Sequence, residues 1–274
     1  MRRNPAMFRS DTPLSNEQIQ RYAPSILAVE PHESRGERYA YIPTIQVLDA
    51  MRAEGFQPMQ VGQTRCRNES KREHTKHLVR FRHESTLGQI KVGDEVPEIV
   101  LVNSHDGTSS YQLMGGIFRL VCSNGMIVGD PSMEIKVRHS GNVIDNVIEG
   151  TYSVIEDIKR VVPVIEDWKR LELNLEQRKA YAEAALGLRW EDEESCPVAP
   201  EKIVDSVRRM ADRGNNLWTV FNRAQENIIR GGLAGRNAKG KRTTTREVSS
   251  VSENVRLNKA LWQLTSKMAE LASA

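Results

Sequence analysis

Glu98-Ile-Val-Leu-Val-Asn-Ser-His-Asp-Gly-Thr-Ser-Ser-Tyr-Gln-Leu-Met-Gly-Gly-Ile-Phe-Arg-Leu-Val-Cys-Ser-Asn-Gly-Met126 is the stretch that decides the fold. Ile99 to Val102 and Tyr111 to Val121 are apolar runs of strand length. Asp106-Gly107 between them is a strong short-range signal for an antiparallel hairpin, because glycine enters the left-handed region without a Cβ clash. Ser123-Asn124-Gly125 predicts a second tight turn. Gly115-Gly116 falls inside the strand pattern and points to a bulge or a close backbone approach.

Working outward, residues 56–68 alternate as a strand does (Phe56, Met59, Val61). Lys76 to His83 also alternates, which predicts Val79 and Phe81 inward and Arg80 and Arg82 on an exposed face. Met133 to His139 supplies one more strand. The apolar period then changes from 2 to 3.6, and Val143, Val147, Val154, Ile158, Val161, Ile165, Trp168 and Leu171 mark a long helix kinked at Pro163. Ser15 with Gln18, Thr44 to Glu54 with Gly55 as its stop, and Asn174 with Gln177 mark further helices. Pro200 opens a helix as far as Asp212, and Asn215 or Asn216 caps one that runs through Ile229. Ser250 with Glu253 starts a last helix with Val255, Leu261, Leu264, Met268 and Leu271 as its apolar stripe. The fold class is therefore α+β: a small antiparallel sheet packed by a long helix, with a helical C-terminal half. The expected divisions are an N-terminal arm with helices (1–55), a sheet-plus-helix core (56–173) and a helical region (174–274).

The chain has 274 residues, 39% apolar and 27% charged, with a net charge of +3, an ordinary balance for a globular protein. It holds no apolar run long enough for a membrane span. The start, Met1 to Phe8, has basic residues without an apolar segment behind them, unlike a secretory signal. Cys66, Cys122 and Cys196 form no CxxC pair, which argues against structural zinc or a disulfide framework and favours a cytoplasmic location.

No complete catalytic or metal-binding constellation stands out, and no cofactor is expected. His74 and His77 lack acidic or third ligands nearby. His105-Asp106 is explained by turn geometry, and Ser104 and Ser123 have no nucleophile-elbow context. Cys122 reads as a buried hydrophobe at a strand end. The Gly231-Gly232-x-x-Gly235 pattern lacks Walker spacing.

What remains is positive charge in two regions. One is 65–82, with Arg65, Arg67, Arg80 and Arg82. The other is the loop 230–246, with Arg230, Arg236, Lys239, Lys241, Arg242 and Arg246, four glycines and no acid. Cations on a strand face and on a glycine-rich loop suit contacts to phosphates, and Phe81 and Tyr111 would stack on unpaired bases. These ten cations are the candidate nucleic-acid contacts.

Two further segments carry a resemblance. Ser104-His-Asp-Gly-Thr-Ser-Ser-Tyr111 with Phe118-Arg-Leu-Val-Cys-Ser-Asn-Gly-Met126 is one, and Leu217-Trp-Thr-Val-Phe-Asn-Arg-Ala-Gln-Glu-Asn-Ile-Ile-Arg-Gly-Gly232 is the other. Along its whole length the chain resembles the uncharacterised phage/plasmid-like proteins of enterobacterial prophages and plasmids, classed as a domain of unknown function. The resemblance implies a mobile-element protein in the bacterial cytoplasm and carries over no catalytic residues. The strands followed by a long helix are also compatible with the β-β-β-α core of single-strand annealing proteins, a likeness of fold alone. The expectation is a non-enzymatic DNA-binding protein, favouring single strands, acting in recombination or replication and compatible with a homo-oligomer. The alternatives are a protein-binding module that blocks a host defence or regulatory factor, and an enzyme whose acids or histidines converge only in the fold.

Overall fold

A computed structural model describes residues 7–29, 42–65, 69–88, 94–106, 109–119, 124–138, 142–190 and 196–273. Cys66, Arg67, Gly107, Cys122 and Ser123 lie outside the described residues. The chain forms two compact units. The first comprises Met1–Phe118, Pro131–Lys159 and Ser249–Ser252, and the second Arg119–Asp130, Arg160–Val248 and Glu253–Ala274. The fold is α+β. Among the described residues, no helix is long and apolar enough to cross a membrane.

The first unit is built on strands β1 (Met7–Arg9), β2 (Phe56–Gln63), β3 (His77–His83), β4 (Glu95–Asn103) and β5 (Tyr111–Arg119), hydrogen-bonded in that order. The strands expected from residues 99–121 are thus neighbours in the sheet. Strand β6 (Asn124–Ile127) begins on Asn124-Gly125, so this pair opens a strand where the sequence predicted a turn. Strand β7 (Glu134–Val137) pairs antiparallel with β5, Tyr111 facing Val137.

Two helices precede the sheet core in sequence. Helix α1 (Asn16–Tyr22) carries the capping box of Ser15 and Gln18. Helix α2 (Thr44–Ala53) ends at Gly55, whose φ of 82° suits a residue without Cβ. Helix α3 (Val143–Ile158) buries Val143, Val147, Val154 and Ile158, and at Gly115 an added Cβ would lie 2.9 Å from Ile158 Cγ1. The long helix ends there. Pro163 has no N–H for the Lys159 carbonyl and its ring would crowd it, so a new helix, α4 (Val161–Arg170), begins with Pro163 in its first turn.

In the second unit, α4, α5 (Leu175–Gly187), α6 (Glu201–Asp205), α7 (Leu217–Arg230) and most of α8 (Val251–Ser273) form the helical part. Asn174 with Gln177 makes the capping box of α5, and Asn216 caps α7. Helix α6 stops at Asp205, short of the predicted Asp212, and the Asn227 amide takes its loosened carbonyls, Ile203 O and Ser206 O, each at 2.9 Å. Trp168, Trp218, Phe221 and Trp262 form the aromatic cluster of this unit, with the Trp168 and Trp262 rings 4.6 Å apart.

Helix α7 is buried at every position from Leu217 to Ile229, polar ones included. Such a helix is stable only if its polar groups are paired inside. Gln225 donates to Asn258 Oδ1 at 2.8 Å, Arg223 to Asp212 O at 2.9 Å, and Glu226 accepts from Arg209 and Arg230. This pairing also turns α8. Its buried face is Asn254, Leu257, Asn258, Leu261, Trp262 and Thr265, with Thr265 Oγ1 at 2.8 Å from the Tyr181 hydroxyl. Of the predicted stripe, Leu261 is on this face, Val255, Leu264 and Met268 are half-buried at its margin, and Leu271 is 65% exposed.

The corrected face gives an expected outcome. Leu257→Ala removes a fully buried side chain and lowers unfolding free energy by about 2–5 kcal/mol, whereas Leu271→Ala stays within about 0.5 kcal/mol. Urea unfolding followed by circular dichroism distinguishes the two.

Candidate nucleic-acid interface

The glycine-rich basic segment is an ordered hairpin. Strands β8 (Ala234–Arg236) and β9 (Arg242–Thr244) pair antiparallel, with Ala234 opposite Thr244, Gly235 opposite Thr243 and Arg236 opposite Arg242. The turn between them is closed by Asn237, whose Oδ1 accepts from Lys239 N and Lys241 N at 3.0 Å each, and by Gly240 at a φ of 72°. Side chains opposite each other in a sheet share a face. Ala234, Arg236, Arg242 and Thr244 are exposed, while Gly235 and Thr243 are half-buried. The half-buried face lies against Pro197 and Val198. Arg236 N donates to Pro197 O at 2.8 Å, and an added Cβ at Gly235 would overlap that carbonyl.

The root of the hairpin grows from the end of α7. Gly231, at a φ of 64°, is the C-cap, and its N–H donates to Asn227 O. Gly232 N donates to Thr245 O at 2.7 Å, Thr245 N to Leu233 O at 2.9 Å, and Leu233 N to Thr245 Oγ1 at 3.0 Å. Arg189 donates to Ile228 O and Arg246 O, Arg208 to Gly231 O, and Lys202 Nζ to Ala234 O at 2.8 Å. None of these three holding cations was legible as such, since each acts on a backbone carbonyl more than twenty residues away in the chain.

The ten expected contact residues separate on inspection of burial. Arg236, Lys239, Lys241 and Arg242 are exposed at the hairpin, and among the described residues none has an acidic partner. Arg246 is exposed at the root, and Arg230 is ion-paired with Glu226 at 2.6 Å. Arg65 is exposed past the end of β2 in the other unit. Arg67 lies outside the described residues.

Arg80 and Arg82 are a correction. They are 2% and 3% exposed, and Glu98, equally buried, takes Arg80 Nη1 at 3.0 Å and Arg82 Nε at 2.7 Å. The Arg82 guanidinium also lies 3.5 Å from the centre of the Phe118 ring. Alternation correctly separated these arginines from Val79 and Phe81, but both faces of β3 are covered, so the outward face is not exposed. Burial lowers the Arg80 pKa, with Glu98 opposing the shift. Phe81 and Tyr111, expected to stack on bases, are both core residues at 0% exposure.

The fold also brings together two histidines that the sequence keeps apart. Thr44 Oγ1 lies 2.9 Å from His77 Nε2, 3.2 Å from His105 Nε2 and 3.0 Å from Asn103 Nδ2. His77 Nδ1 faces Thr75 O at 3.1 Å and so carries the ring proton, which leaves Nε2 to accept from the Thr44 hydroxyl. Asn103 and His105 then donate to the Thr44 oxygen. The Tyr111 hydroxyl donates to Ile42 O at 2.8 Å. The order hydroxyl, imidazole, acceptor resembles an activated nucleophile. Here, however, two donors sit on the oxygen and all five side chains are 0% exposed, so the arrangement is a buried clasp between α2 and the ends of β3, β4 and β5. His77 and Asn103 are directly opposite in the β3–β4 register, a pairing that the sequence does not reveal.

A family model, Domain of unknown function (DUF932), matches residues 31–262, and the chain belongs to that family. It is 49% identical over 256 residues to "UPF0380 protein YfjQ" of Escherichia coli (strain K12), covering 93% of this chain and 92% of that protein. To "UPF0380 protein YafZ" of the same organism it is 48% identical with the same coverage. No solved structure matches.

Two outcomes follow for the buried groups. Glu98→Ala leaves two guanidiniums in the interior without their carboxylate and lowers stability by about 3–5 kcal/mol, read as a urea midpoint shift. Burial pushes the His77 pKa down to about 4, below its unfolded value near 6.5, so the unfolded chain binds the extra proton in that interval. The contribution of neutral His77 is therefore fully present above about pH 6.5 and is lost as pH falls toward 4, a change of about 3 kcal/mol. The stability gap between the wild type and His77→Asn narrows over that interval.

Proposed function

We propose that this protein is a non-enzymatic DNA-binding protein of a mobile element, acting in recombination or replication, and that it holds phosphates with the hairpin β8–β9. The observation that carries this reading is the group Arg236, Lys239, Lys241 and Arg242, exposed on a ribbon tied down at its root. Arg236 and Arg242 stand directly opposite each other. Like charges in that position are unfavourable unless an anion lies between them. Gly235 lets the ribbon lie close on the Pro197 carbonyl, and Asn237 and Gly240 shape a turn that presents Lys239 and Lys241. Preordering the cations reduces the entropy lost when they meet phosphates. Base stacking by Phe81 and Tyr111 was one support for the single-strand form of the reading, and their burial removes it, as burial removes Arg80 and Arg82 from the phosphate contacts, while the hairpin cations stay exposed.

Fluorescence polarisation on labelled DNA tests the proposal. Four phosphate contacts give a slope of log affinity against log salt of about −3.6 on duplex, so binding weakens about 100-fold between about 50 and 200 mM salt. A variant with Arg236, Lys239, Lys241 and Arg242 all changed to Gln loses binding at low salt while its melting temperature is unchanged. Binding that is unaltered in this variant overturns the proposal. A stable protein partner that survives nuclease treatment, with no DNA binding at low salt, supports the protein-binding module instead.

A further inference from the structure

We infer that the DNA form taken by the hairpin is the duplex, held by its phosphates with little regard to base sequence; this rests on the reading proposed above. Single-strand binders combine a positive track with exposed aromatic rings on which bases stack. The hairpin has none. In its unit, Trp168, Tyr181, Trp218, Phe221 and Trp262 are buried, and Trp190, half-buried, has the Arg189 guanidinium 4.6 Å from its ring centre. Without stacking, attraction follows charge density, and a duplex presents one phosphate per about 1.7 Å of axis against about 3.4 Å for each strand alone.

Rigidity points the same way. The ribbon is fixed by Arg236 N to Pro197 O, Gly232 N to Thr245 O and Lys202 Nζ to Ala234 O, so its cations form a set array. A duplex meets a set array without reorganising, whereas a flexible single strand must give up conformational freedom to match it. Base readout by amide or hydroxyl groups is poorly supplied, which leaves the arginines to the phosphates. The Asn237 oxygen, an acceptor placed at the tip, is already taken by Lys239 N and Lys241 N, and Thr243 is on the ribbon face turned to Pro197 and Val198.

The test uses the full chain and labelled oligonucleotides of equal length, single-stranded and duplex, each in two unrelated sequences, at low and physiological salt. The expected result is duplex binding about tenfold tighter than single-strand binding, equal for the two sequences, and unchanged by Trp190→Ala. Equal or tighter single-strand binding, or a single-strand component lost in Trp190→Ala, overturns the duplex inference and leaves DNA binding standing. A marked preference between the two duplex sequences overturns the claim of sequence indifference. No binding to either form at low salt overturns the proposed function itself.

Discussion

The C-terminal end of α7 is the constraint on which the candidate interface depends. A helix ends with carbonyls that have no partner inside it, carrying the negative end of its dipole. Here those carbonyls are met by Gly231 N on Asn227 O and by Arg189 on Ile228 O, while Arg208 holds Gly231 O and Asn227 Oδ1. Satisfying them ends the helix at Gly231, whose φ of 64° turns the chain into the ribbon that follows. The buried polar helix, the glycine pair and the basic hairpin are therefore one piece of physics. A helix end sealed inside the unit must be paired, and the pairing positions the cations.

Charge has opposite meanings in the two basic regions. Arg80 and Arg82 have left water, and the cost of burying them is offset by a carboxylate that touches both and, for Arg82, by the Phe118 ring. They are held inside the sheet by Glu98 and are not presented to a ligand. The hairpin cations remain exposed, with Arg236 also donating to Gly240 O at 2.7 Å, and surface charges of this kind contribute little to folding, so they can exchange water and counterions for phosphates. A row of arginines in sequence does not distinguish these cases, because the difference is made by what covers the strand.

Much of the fold is legible because local chemistry decides it. Ser15 with Gln18 and Asn174 with Gln177 satisfy helix ends within four residues, and Pro163 acts on a carbonyl one turn away. What was not legible is decided by distant partners. The buried face of α8 contains Asn258 and Thr265, and only Gln225 and Tyr181, far along the chain, make those positions acceptable inside. Strands β8 and β9 are three residues each, rich in Gly, Arg and Thr, and their pairing follows from the α7 cap and Pro197 rather than from propensity. Of the candidate site, the loop cations were legible from composition. The exclusion of Arg80, Arg82, Phe81 and Tyr111 required knowing that both faces of the sheet are covered.

Lysine footprinting tests the central claim most directly: the full chain is acylated with and without DNA at low salt, and each lysine's modification is read by mass spectrometry. The account expects DNA to protect Lys239 and Lys241 while Lys159, Lys169 and Lys267, which are away from the ribbon in sequence and are paired with acids, react as before. DNA that binds and leaves Lys239 and Lys241 fully reactive would contradict it.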